Sequence, residues 1–171
     1  NSGLGLQAIP ERNLAAFDSL LHYDMIVLQF GLNVSNSPSR DFSGYMKGMG
    51  RLINKLKAAF PDTPILLLSV SDRSQRRQGN FVTMPVIPVL IQAQEKIAYD
   101  NKLLFWNLFE AMGGENSMAA FANAKPALAN KDYTHLNFAG GRKIGLSLAR
   151  SFIYEVENYQ KRRNSLAVVT K

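Results

Sequence analysis

Cysteine is absent from this chain of 171 residues, which removes disulfides, thiolate metal sites and a thiol nucleophile from consideration. Histidine is scarce: the two copies, His22 and His135, have no close His/carboxylate cluster around them, so neither a zinc site nor any other cofactor is expected. No apolar run approaches the roughly 18 residues that a membrane helix needs, and no membrane span is expected. The start, Asn1-Ser2-Gly3-Leu4-Gly5, has neither an initiator Met nor a signal-peptide pattern and reads as the start of a fragment or a mature form. There are no internal repeats and no linker-like stretches. The length suits one full domain over residues 1–160 and leaves a basic tail, 161–171, that either frays or adds a short strand through Leu166-Ala167-Val168-Val169-Thr170.

What is present is an ordinary globular composition, 46% apolar and 19% charged, with a net charge of +7. The positive charge is partly clustered, at Arg73/Arg76/Arg77 and at Lys161/Arg162/Arg163. Nucleic-acid binding needs a basic face with a recognisable reading element, and no such motif occurs. Solvated charge or an acidic polysaccharide is therefore preferred over DNA or RNA.

Periodicity alternates between two patterns. Residues 10–22 read as a helix with Leu14, Phe17 and Leu21 on one face, and His22 at its end suits the helix dipole better than catalysis. Met25-Ile26-Val27-Leu28-Gln29-Phe30 is a nearly continuous apolar run, as a strand buried on both faces requires. A polar loop over 33–40 and a helix over 41–60 follow, the helix carrying Tyr45, Met49, Leu52, Ile53, Leu56 and Phe60 at helical spacing. Pro61 and Pro64 end it.

Ile65-Leu66-Leu67-Leu68-Ser69-Val70 is a second buried strand, and 71–80 reads as a polar, arginine-rich loop. Thr83 is placed to cap a third helix whose apolar stripe, Ile87, Leu90, Ile91 and Ile97, is interrupted by Gln94. Lys102-Leu103-Leu104-Phe105-Trp106 is a third strand, 107–130 is irregular with small helical pieces, and a last helix covers 137–159. There Gly141 and Gly145 would permit close approach to a sheet. Helices alternating with all-apolar strands specify an α/β fold, a parallel sheet covered on both faces in three α/β/α layers.

In such sheets the chemistry gathers beyond the carboxyl ends of the strands. Three segments fall there: 31–36, 71–80 and the loop Asp132-Tyr133-Thr134-His135. An aspartate three residues before a histidine suits a carboxylate orienting an imidazole base, although the same pair also serves as a helix cap. Asn33 could aim its amide at a developing oxyanion, or stabilise its own turn. Trp106 and Phe109 suit a core role better than a sugar platform. The loop arginines are either solvated or in contact with an acidic or phosphorylated glycan.

These blocks resemble the SGNH/GDSL hydrolases, serine esterases on a flavodoxin-like sheet. Phe30-Gly31-Leu32-Asn33 matches their Gly-x-Asn block, Asp132 and His135 their Asp-x-x-His block, and Asn1 to Gly5 the block supplying a backbone N–H. Trp106-Asn107-Leu108-Phe109-Glu110-Ala111-Met112-Gly113-Gly114 and Ser117-Met118 are similar to a bacterial subgroup that includes peptidoglycan O-acetylesterases and polysaccharide deacetylases. The resemblance implies His135 as catalytic base, Asp132 as its orienting acid, and an oxyanion hole from Asn33 and Gly5, with Gly3 as the alternate.

It also implies an acetylated glycan or small ester as substrate and an exported, cell-envelope location. One block departs from the pattern: no Gly-Asp-Ser occurs anywhere in the chain. The expectation is a sheet lacking the family's first strand, with the nucleophile unassigned here and carried by a missing N-terminal segment on the same parent protein or on another chain. Ser2 is a poor substitute because it falls in the oxyanion block. An acetyltransferase using the same residues and a noncatalytic glycan-binding module remain the alternatives.

Overall fold

The computed structural model describes residues 14, 16, 17, 20–36 and 40–169, with side chains through Ser165. Leu14, Ala16, Phe17, Leu20 and Leu21 are helical, and His22 leaves the helix at φ 43°. The elements that follow are β1 (Ile26–Leu28), a short 3-10 helix (Leu32–Asn36), α1 (Ser43–Ala59) and β2 (Ile65–Leu68). Next come β3 (Ser74–Arg77), β4 (Asn80–Thr83), α2 (Val86–Asp100) and β5 (Leu104–Trp106). Three helices complete the chain, α3 (Leu108–Met112), α4 (Ser117–Asn123) and α5 (Phe138–Val169).

The main sheet has the order β1-β2-β5, parallel throughout. Leu28, Leu67 and Phe105 stand in register across it. All three enter one core with Met49, Leu52, Ile53 and Leu56 of α1 and Ile97 and Ala98 of α2. Burying each such side chain contributes about 1.5–3 kcal/mol, and together they fix α1 and α2 on this face. On the opposite face Trp106 packs near Leu108, Met118 and Ile144, and its indole N–H donates to Ser151 Oγ of α5 at 3.2 Å. Helices on both faces of an all-parallel sheet give the three-layer α/β/α arrangement expected from the alternating pattern. Among the described residues β1 pairs with β2 alone, so it is an edge.

Four local expectations are corrected. Residues 71–80 do not form an open loop: Ser74–Arg77 and Asn80–Thr83 pair as an antiparallel hairpin. Its two-residue turn, Gln78-Gly79, has φ of 50° and 84°, the left-handed pair that matches the twist of a tight hairpin. The β3 strand is polar because much of it faces water, so it leaves no apolar alternation to read.

Thr83 ends β4, and Pro85 takes the position before α2. The last helix runs to Val169, so residues 161–169 are helical where a frayed tail or strand was the expectation. Finally, the tight glycine of α5 is Gly140, since a Cβ there would collide with the Leu128 carbonyl, while Gly141 and Gly145 have nothing within 4 Å. Asn137 caps this helix, its Oδ1 accepting from the Gly140 N–H at 3.0 Å.

Candidate active site

Gln94, the polar interruption in an otherwise apolar stripe, explains how the end of β1 is held. It is fully buried, and its amide Nε2 donates to the Phe30 carbonyl at 2.7 Å and to Tyr45 Oη at 2.9 Å. Its Oε1 accepts from the Val70 N–H at 2.8 Å, just beyond β2. Tyr45 donates its own hydroxyl to the Phe30 carbonyl at 3.0 Å, and burial pushes its phenol up to about 12, so it stays a neutral donor.

This knot leaves no room beside Gly31. A Cβ there would lie 2.9 Å from Tyr45 Oη and 3.0 Å from Gln94 Nε2, at φ 120°, where L side chains are strained. The chain therefore turns at Gly31 into the 3-10 helix that carries Asn33, which is exposed.

The second half of the site is the turn Asp132 to His135. Asp132 Oδ1 accepts from the backbone N–H groups of Thr134 at 2.9 Å and His135 at 3.0 Å. Its Oδ2 meets His135 Nδ1 at 2.8 Å. The imidazole contact, together with these two N–H bonds, holds the Asp132 carboxyl down at about 2. In the neutral imidazole this contact places the proton on Nδ1 and leaves Nε2 as an acceptor. The His135 side chain is 67% exposed, and among the described residues Nε2 has no hydrogen-bond partner.

The turn is fastened from outside. Asn130 N–H donates to the His135 carbonyl at 2.8 Å, and Tyr133, at φ 54°, accepts on its carbonyl from the Ser74 N–H at 3.0 Å. The Tyr133 ring lies flat on Phe81 of β4, with centroids 3.6 Å apart and planes at 8°. The hairpin is in turn anchored on buried Asp72, whose carboxylate accepts from Thr83 Oγ1 at 2.8 Å and the Met118 N–H at 2.7 Å.

The two halves are connected. Arg73 Nη1 donates to Ser35 Oγ at 2.9 Å, while the next residue, Ser74, bonds Tyr133. A chain of two hydrogen bonds thus ties the Asn33 helix to the Asp132–His135 turn. Gly5, Gly3 and Ser2, which the resemblance and its departure singled out, lie outside the described residues. Phe109 is core, packed with Val70 and Leu90, and Trp106 is partly buried beneath α5. Sequence reading missed Phe81 and the Arg73–Ser35 bridge, since both depend on the hairpin. Gln94 was visible as an anomaly. Among the described residues no group of three or more His, Cys, Asp or Glu side chains could hold a metal ion.

No family model and no curated protein matches the sequence. Solved structures do. A peptidoglycan O-acetylesterase shares 22% identity over 86% of this chain, with a TM-score of 0.74. An acetylxylan esterase from Geobacillus stearothermophilus shares 18% identity over 86% of this chain and 68% of its own, with a TM-score of 0.51. A lipase/acylhydrolase from Enterococcus faecalis shares 17% identity over 82% of this chain and 68% of its own, with a TM-score of 0.52. The chain spans 41% of the length of the peptidoglycan O-acetylesterase. The chain has the SGNH/GDSL hydrolase fold, and these three structural neighbours are esterases and a lipase/acylhydrolase.

Proposed function

We propose that the chain carries the base and oxyanion side of a serine-esterase site that removes O-acetyl groups from a cell-envelope polysaccharide or peptidoglycan. One observation carries the reading: an imidazole fixed through Nδ1 at 2.8 Å on a carboxylate whose other oxygen is saturated by two N–H groups, with Nε2 unpartnered among the described residues. A carboxylate so arranged orients the ring and stabilises the imidazolium without itself taking the proton.

On this reading Nε2 of His135 accepts the proton of a serine hydroxyl as its oxygen attacks the acetyl carbonyl. The tetrahedral oxyanion is met by the Asn33 amide and the Gly5 N–H; losing one such donor typically costs about 10²–10³ in rate. His135 then protonates the departing sugar hydroxyl, and water, activated by the same imidazole, releases acetate from the acetyl-serine. The serine is not assigned by any motif of this chain. A periplasmic or extracellular location and an acetylated glycan substrate belong to the same proposal, supported by the activities of the peptidoglycan O-acetylesterase and the acetylxylan esterase among the structural neighbours.

The test is fluorophosphonate labelling of the folded protein with peptide mapping, alongside acetyl-ester hydrolysis. A stoichiometric label on one serine, abolished by His135→Ala with the fold intact, supports the esterase. Absence of any label on the folded chain rules out a nucleophile on the chain itself: the serine then lies outside it or, on the noncatalytic glycan-binding alternative, does not exist. A label that survives His135→Ala overturns the role given to His135.

A further inference from the structure

Arg73 is unusually placed for a basic residue. It is partly buried and its guanidinium is fixed by Ser35 Oγ at 2.9 Å. Ser35, 1% exposed, is itself committed, donating to the Leu32 carbonyl at 2.6 Å. Among the described residues no carboxylate pairs with Arg73; the one acid beside it in sequence, Asp72, instead accepts from Thr83 and Met118. A guanidinium has five donor hydrogens in a rigid fork, and Ser35 occupies one of them. A partly buried guanidinium with free donors and no carboxylate partner is suited to receive an anion.

The position adds meaning. Arg73 reaches from the hairpin to the helix that carries Asn33, while its neighbour Ser74 bonds the Tyr133 carbonyl inside the Asp132–His135 turn. Arg76 is the cross-strand partner of Phe81, and Phe81 stacks on Tyr133, so Arg76 shares the hairpin face that meets this turn. Arg77, by contrast, lines a separate cleft with Asn80, Glu115 and Asn116.

We propose that Arg73, supported by Arg76, forms an anion subsite beside the Asp132–His135 turn that selects glycans bearing a carboxylate or phosphate. This rests on the esterase reading for its substrate context, but not for its measurement. Arg73 contributes a fixed fork between the two halves of the site, and Arg76 adds an exposed charge at the rim. The subsite makes the enzyme prefer an acetylated acidic glycan over a neutral one.

The experiment is an NMR titration of the whole protein with three sugars that share a glucose ring and differ at C6. These are methyl glucoside (neutral), methyl glucuronide (carboxylate) and methyl glucoside 6-phosphate. The anionic sugars should bind on the order of tenfold tighter than the glucoside, as a charge-assisted bond implies. The carboxylate and phosphate arms identify which anion is preferred. Arg73→Gln should abolish the preference, and Arg76→Gln, on an exposed strand that tolerates it, should reduce it.

Equal affinity for all three sugars, binding of none of them at high millimolar concentration, or a preference that survives both substitutions overturns the subsite. Because affinity is read without turnover, an anion preference found together with a label that survives His135→Ala would sink the esterase reading and leave the subsite standing.

Discussion

Replacing Gln94 by Met tests whether the buried amide holds the two strand ends together. Methionine is close in length and apolar, so the perturbation removes hydrogen bonds with little change in volume. The Val70 N–H, in a residue 2% exposed, loses its acceptor at 2.8 Å and has no water to replace it. Orphaning a buried donor costs about 1–3 kcal/mol. Phe30 loses one of two donors to its carbonyl and keeps Tyr45, and Tyr45 Oη loses the amide N–H it accepts. Those two losses add roughly 0.5–1 kcal/mol between them, giving a total of about 1.5–4 kcal/mol.

Urea unfolding followed by circular dichroism reads this as a lowered midpoint at unchanged slope. Hydrogen exchange adds a local signature: the amides of Leu32 to Asn36 should lose protection more than those of α5, because the knot ends at Phe30-Gly31. A destabilisation below about 0.5 kcal/mol, well under the cost of an orphaned buried donor, would refute the argument. So would a loss of protection spread evenly over the molecule.

Two further predictions concern the second half of the site. Gly140→Ala should destabilise by about 1–3 kcal/mol, because the added methyl must displace the Leu128 backbone. Gly141→Ala and Gly145→Ala should be neutral or stabilising by up to about 1 kcal/mol, their surroundings being open; equal effects at all three positions would contradict the assigned contact. For Asp132, carboxyl-carbon NMR should give a midpoint near 2, moving back toward 3.8 in His135→Ala. Since the folded value lies below the unfolded one, the pair's contribution is present above about pH 4 and lost as pH falls through about 2. That contribution is small, because the Asp132 side chain is 46% exposed. A midpoint that ignores His135→Ala would show that the imidazole does not hold the carboxyl down.

The order of amino acids alone specifies the layered α/β architecture, because strands buried on both faces must be apolar at every position and helices must show a stripe. Ile65 to Leu68 and the α1 stripe are legible for that reason, whereas Ile26 to Leu28 has the same apolar run but leaves Val27 50% exposed, so it is not buried on both faces. It also determined the Asp132–His135 pair, whose three-residue spacing closes a local turn that needs nothing distant. Tertiary structure decided what depends on contacts between distant segments.

Phe81 meets Tyr133 and Arg73 meets Ser35 only after a polar hairpin folds, and a solvent-facing strand carries no apolar period to announce it. Gln94 was readable as an exception, but its partners at Phe30, Tyr45 and Val70 come from three other elements. Likewise, Gly140 rather than Gly141 or Gly145 is the close contact, because the Leu128 carbonyl that excludes a Cβ is brought there by a loop. Local spacing encodes the pieces of the site, and packing between elements sets where they point.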